Sequence, residues 1–200
     1  MSSVRAKQIR ESFKELIESC FGGGVKIMNR FVQIPISNYT VTVDSNVKTI
    51  GSEFDPAYRN CVHMNFEGGI SGMIIFMFPT EKEKEIAHSF LKGFAGLKSD
   101  FIKSEKQEHE LLKEASNIIF CNILGTFSNL TLHYTNYLPP IYSNSESISQ
   151  LLRNFINYTC VEFEFEIEHL ETKATILLVL KHARSFERYI EPYIENYQNR

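Results

Sequence analysis

Two stretches of the sequence repeat one pattern, and this repeat indicates the fold. They are Cys61-Val62-His63-Met64-Asn65-Phe66-Glu67 and, 99 residues later, Cys160-Val161-Glu162-Phe163-Glu164-Phe165-Glu166. Apolar and polar residues alternate in both, which is typical of a β-strand with one buried face. A second apolar stretch follows each of them, Met73 to Phe78 and Thr175 to Leu180. Each pair therefore predicts a β-hairpin.

The same spacing relates two helix-like stretches that begin the two halves of the chain. The corresponding residues are Glu11, Glu15 and Phe21 in the first and Glu110, Glu114 and Phe120 in the second, whereas Glu18 corresponds to Asn117. Each half predicts a long helix, a strand, a hairpin and a short helix, over about 1–99 and 100–200. Neither half has enough strands or apolar surface for a core of its own. We therefore expect a single α+β domain over 1–200, with one six-stranded, largely antiparallel sheet and two long helices packed on it.

Composition and charge exclude several classes of function. The 200 residues are 43% hydrophobic and 22% charged, as in ordinary globular domains. A net charge of −3 offers no basic surface for a phosphate backbone, so we expect no nucleic-acid partner. The longest mainly apolar stretch, Ile70 to Pro79, is about half of what a membrane span needs. We expect no membrane contact and a cytoplasmic location. The four cysteines lack CxxC spacing, which predicts neither disulfides nor structural zinc.

The clearest amphipathic segment runs from about Ser104 to Ser128. Its apolar face is expected to pack on the sheet and comprises Leu111, Leu112, Ala115, Ile118, Ile119, Asn122, Ile123 and Thr126. On the opposite face lies a polar stripe at helical spacing, formed by Glu110, Glu114, Asn117 and Cys121. Such a stripe is more often a solvated helix face than a site. Phe120 and Leu124 flank it, either as an apolar border for a partner or packed against the other long helix, and His109 is expected to be solvated.

A longer pattern favours a function for this stripe. Glu110-x3-Glu114-x2-Asn117-x22-Pro140 resembles the signature of the CheC and CheX family of chemotaxis phosphatases, Asp or Ser-x3-Glu-x2-Asn-x22-Pro. Three of the four fixed positions match, and Glu110 departs. The duplicated α-β-β-β architecture with merged sheets is also similar to this family's fold. Because Glu18 replaces the amide in the first half, the chain resembles CheX-like members, which have a single site and are homodimers.

The resemblance implies a phosphatase that hydrolyses the aspartyl phosphate of a CheY-like receiver domain. Asn117 would orient the attacking water, and Glu114 would contact a lysine of the receiver. Glu110 would be an accessory residue, and Pro140 would fix the neighbouring strand or loop. A neutral carboxamide suits this task because it accepts and donates hydrogen bonds without repelling phosphoryl oxygens. The protein would need no cofactor of its own, since the Mg²⁺ would belong to the receiver.

Two alternatives remain open from the sequence. The first is a docking module that binds a receiver or a flagellar switch component and hydrolyses nothing, an interpretation that Glu110 keeps open. The second is a purely structural duplicated domain in which Glu114 and Asn117 are ordinary surface residues.

Overall fold

A computed structural model describes residues 3–30, 35–44, 60–95, 102–144, 150, 157–182 and 185–199. The helices are α1 (Ser3–Arg30), α2 (Glu83–Ala95), α3 (Glu105–Thr131) and α4 (Phe186–Gln198). The strands are β1 (Ile36–Asp44), β2 (Asn60–Gly68), β3 (Ser71–Phe78), β4 (Thr135–Tyr137), β5 (Ile141–Asn144), β6 (Tyr158–Ile167) and β7 (Thr172–Lys181). The α+β class predicted from the sequence is confirmed.

The described strands form one antiparallel sheet of seven strands, in the order β1-β6-β7-β3-β2-β4, with β5 also paired to β2. The expected number of six was wrong, because one strand of the second half is divided. The break lies at 138–140, where Pro139 and Pro140 have no N–H to donate to a β ladder. The segments on either side, β4 and β5, both pair with β2.

The strand order is symmetric about the centre of the sheet. β3 of the first half pairs with β7 of the second, with Ile75 opposite Leu177. Outward from this pair come β2 and β6, the two repeated stretches. At the edges the halves exchange strands, because β1 pairs with β6 and β4 and β5 pair with β2. A duplicated unit would produce this order, and the superposition of the two halves stays a prediction.

The four described helices contribute to one core on a single face of the sheet, where their apolar side chains meet those of the strands. The buried face of α3 differs from the one predicted from the sequence. Phe120 and Leu124 are buried in this core, whereas Ile118 is 40% exposed. The reason is that α3 has apolar neighbours on more than one side, since α1 lies beside it on the sheet.

The two long helices, α1 and α3, pack side by side on the sheet, and glycines permit their close approach. A Cβ atom on Gly24 would lie 2.9 Å from Ile123 Cγ1, and one on Gly23 would lie 3.1 Å from Asn122 Oδ1. A Cβ atom on Gly22 would have no other heavy atom within 4 Å. The contact fixes α3 against α1 and leaves the opposite side of α3 open.

Candidate functional site

The polar stripe lies on the open side of α3. Ser104 begins the helix as its N-cap, and its Oγ accepts a hydrogen bond from Gln107 N at 3.4 Å. Glu110 and Glu114 are exposed, and Asn117 and Cys121 are half-buried. Spacings of four, three and four residues place all four side chains along one helix face. The structure therefore presents three of the predicted site residues, Glu110, Glu114 and Asn117, together on an accessible surface.

The contacts of these side chains differ. Glu110 Oε2 pairs with Lys113 Nζ at 2.8 Å. Asn117 Oδ1 accepts a hydrogen bond from Cys121 Sγ at 3.5 Å. Burial raises the pKa of the Cys121 thiol, which keeps it protonated and able to donate. Glu114 has no hydrogen bond or ion pair within the described part of the chain, so its carboxylate is available to another molecule.

Pro140 lies on the chain segment that runs beside the stripe. Tyr142 on β5 stacks on His109, with 3.8 Å between ring centroids. At the other end Tyr137 lies against α3, with its Oη 3.9 Å from the place that a Cβ atom on Gly125 would take. Pro140 lies between these two attachments in sequence, so its segment follows the middle of α3, where Asn117 is found.

An exposed apolar side chain, Ile118, lies beside the stripe. It projects from α3 next to Asn117 and is 40% exposed. Ile141 is about half exposed, but it pairs with His63 and so lies on the sheet face away from α3. Phe120 and Leu124 were expected either to border the stripe or to pack inside, and both are buried.

Sequence reasoning missed a carboxylate that ties β5 to α3. The side chain of Glu83, at the start of α2, is 12% exposed. Its Oε2 accepts from Asn60 Nδ2 at 2.7 Å, and its Oε1 accepts from Tyr142 Oη at 2.6 Å and lies 3.1 Å from His109 Nε2. Burial, then the hydrogen bond to Glu83, raises the pKa of the Tyr142 hydroxyl. His109 was expected to be solvated, and it is instead part of this contact. No sequence spacing signals the cluster, because its residues come from four elements.

On α1, the three positions that correspond to Glu110, Glu114 and Asn117 are all acidic. Glu11, Glu15 and Glu18 are all exposed. Lys7 lies 3.8 Å from Glu11, and Lys14 lies 3.7 Å from Glu18. Because Glu18 stands where α3 has Asn117, α1 provides no neutral amide at this position.

Within the described ranges, no group of three or more His, Cys, Asp or Glu side chains is arranged to hold a metal ion. The helices described there also include none with the length and apolar character of a bilayer span.

Solved structures share this fold at low sequence identity. Thermotoga maritima FliY matches with a TM-score of 0.64 and 18% identity, over 100% of this chain and 98% of that one. A chain of the CheX–CheY–BeF3–Mg²⁺ complex from Borrelia burgdorferi matches with a TM-score of 0.56 and 14% identity, over 83% of this chain and 97% of that one. A chain of the FliG–FliM complex from H. pylori matches with a TM-score of 0.63 and 13% identity, over 94% of this chain and 98% of that one. No protein-family model and no curated protein matches at the sequence level. The chain has the fold shared by CheX and the CheC-like proteins.

Proposed function

We propose that the protein is a phosphatase that hydrolyses the aspartyl phosphate of a CheY-like receiver domain. The observation that carries the proposal is the pair formed by Glu114, which is exposed and has no partner among the described residues, and the Asn117 amide. They lie one helical turn apart on the open face of a CheX-like fold. The matching spacing to Pro140 supports the same proposal.

The surface around the pair suits a protein partner. An unpaired carboxylate offers a charge-assisted hydrogen bond to a lysine, which is the role proposed for Glu114. Ile118 adds exposed apolar area beside it. The helix would thus dock with Glu114 and Asn117 facing the phosphorylated aspartate of the receiver.

Asn117 would act by positioning water. Water attacks the phosphorus, the bond to the aspartate oxygen breaks, and the products are inorganic phosphate and a free carboxylate, with the water's proton passing to phosphate or solvent. Phosphoryl transfer of this kind has a loose transition state, so positioning contributes more than a strong base. The Cys121 thiol holds Oδ1 of the amide, which would favour one orientation of Asn117.

Glu110 and Pro140 have supporting roles in this proposal. Glu110, where the family has Asp or Ser, is engaged with Lys113 and would set the charge at the edge of the interface. Pro140 would fix the segment beside Asn117 through its restricted φ. The Mg²⁺ would be bound by the receiver. The protein would act in the cytoplasm, and as a homodimer.

A second candidate function is a docking module without turnover. The middle domain of H. pylori FliM and a chain of the FliG–FliM complex match 98% and 94% of this chain, whereas a chain of the CheX–CheY–BeF3–Mg²⁺ complex matches 83%. Glu110 in place of Asp or Ser favours the same alternative. The two functions differ in one observable, the loss of phosphate from a bound receiver.

The test follows the decay of phosphorylated receivers with and without the protein. Asn117→Ala should lose the acceleration, by about 10² or more, as on removal of one positioning or charge-stabilising group. Asn129→Ala is the matched control, since Asn129 is exposed on the same helix beyond the stripe. Equal acceleration by Asn117→Ala and wild type would refute the mechanism. Binding of a phospho-receiver without faster decay would favour the docking module.

A further inference from the structure

A large cleft lies away from the polar stripe, where the β2–β3 turn, the end of β7 and α4 meet. Its volume is about 1020 Å³, and its walls include Phe66, Leu138 and Pro192. Its described lining residues do not include Glu110, Glu114 or Asn117. The volume is at the upper end of ordinary small-molecule sites.

One wall of the cleft is a row of four aromatic rings in consecutive contact. The ring row is His182, Tyr189, Tyr193 and His133, with centroid separations of 5.8, 5.9 and 4.3 Å. His182, Tyr189 and His133 are half-buried rather than buried. The row therefore does more than fill the core beneath α4, since three of its rings keep part of their surface at the cleft.

Hydrogen bonds to the backbone fix the ring row. Tyr193 Oη donates to the carbonyl of Gly69. Tyr189 Oη accepts from Ser71 N at 3.3 Å. His133 Nδ1 lies 2.6 Å from the carbonyl oxygen of Thr131. The wall is thus formed before any ligand arrives, which lowers the entropic cost of binding.

The charge at the cleft is mainly positive although the chain carries −3 overall. Lys181 and Arg188 line it next to the ring row, and Glu67 is the one carboxylate among the described lining residues. Lys181 and Arg188 are both exposed and can reach a ligand. Arginine and lysine are the side chains that proteins use most to hold phosphate groups.

We propose that this cleft binds a flat aromatic anion of nucleotide size, in which a ring system is joined to phosphate. The ring system would stack against Tyr189 and the histidine rings, because aromatic faces pair with other rings at separations like those in the row. The phosphate would meet Arg188 and Lys181. Inorganic phosphate alone would leave most of the 1020 Å³ and the ring row unused.

The test titrates the full chain with fluorescent N-methylanthraniloyl-ADP and measures anisotropy, with adenosine and inorganic pyrophosphate as competitors. Wild type should bind saturably below about 1 mM, and neither competitor should displace the probe as well as ADP does. Arg188→Ala should weaken binding about tenfold or more, as expected for loss of one charge-assisted hydrogen bond. Arg30→Ala removes the same charge from an exposed position that does not line the cleft and should bind like wild type.

Three results would overturn the proposal. The first is no saturable binding by folded wild type. The second is equal binding by Arg188→Ala and Arg30→Ala, which would place the ligand elsewhere. The third is displacement by pyrophosphate as effective as that by ADP, which would show an anion site that makes no use of the ring row.

Discussion

Asn117→Asp isolates the electrostatic part of the proposed mechanism. The two side chains have nearly the same shape, and a carboxylate oxygen can still accept the hydrogen bond that Cys121 Sγ now donates to Oδ1 at 3.5 Å. Asn117 is half-buried on the open side of α3, so folding stability should stay within about 0.5 kcal/mol of wild type. The change therefore adds one negative charge and little else.

The added charge would lie beside the phosphoryl group of a docked receiver. Two like unit charges about 4 Å apart, near a protein surface with an effective dielectric constant of about 20, repel by about 4 kcal/mol. Since about 1.4 kcal/mol corresponds to a tenfold change in rate, the accelerated decay should slow by up to about 10³, toward the receiver's own rate. This is the arrangement that α1 already has at Glu18.

The assay is the decay of a phospho-receiver at protein concentrations well below saturation, where the rate reports docking and chemistry together. Asn129→Asp is the matched control, because it adds the same charge to the same helix twelve residues away. That distance is about 18 Å along the helix axis, well beyond the screening length at physiological salt. The control should dephosphorylate at the wild-type rate. If Asn117→Asp also kept the wild-type rate, the neutrality of the amide would be irrelevant and the reasoning above would be refuted.

Three further changes test the fold and the site. Gly24→Ala should destabilise the protein by about 1–3 kcal/mol in urea unfolding, because its Cβ meets α3 at 2.9 Å, whereas Gly22→Ala, with open space, should gain up to about 1 kcal/mol. Equal effects would contradict the close helix contact. Tyr142→Phe removes the hydrogen bond to Glu83 at 2.6 Å and should cost about 0.5–1.5 kcal/mol of stability; no loss would show that this contact contributes nothing. Glu114→Ala should weaken receiver affinity about tenfold or more in a binding titration, and unchanged affinity would exclude the proposed contact with lysine.

The repeat made most of the fold predictable. Matching stretches around Cys61 and Cys160, and the hairpins that follow them, indicated an α+β domain whose sheet combines strands from both halves. The sequence did not reveal that one strand is divided at Pro139 and Pro140. The reason is that an edge strand can lose a donor and still pair on both sides of the break.

The site was predictable where it depends on one helix and not where it depends on packing. Helical spacing placed Glu114 and Asn117 on one face, and the structure presents that face to solvent. The same periodicity could not show that Phe120 would be buried and Ile118 exposed, because a helix with two apolar neighbours has no single buried face. The cluster around Glu83 joins residues that are far apart in the sequence, so no local sequence pattern predicts it.

The most direct test of the central claim measures binding and phosphate release on the same sample. Wild-type protein is titrated into a phosphorylated receiver while the fraction bound and the rate of inorganic phosphate release are recorded together. The account predicts that phosphate release rises in proportion to the fraction bound and reaches about 10² or more above the receiver's own rate. Saturated binding with release at the receiver's own rate would contradict it and identify the protein as a docking module.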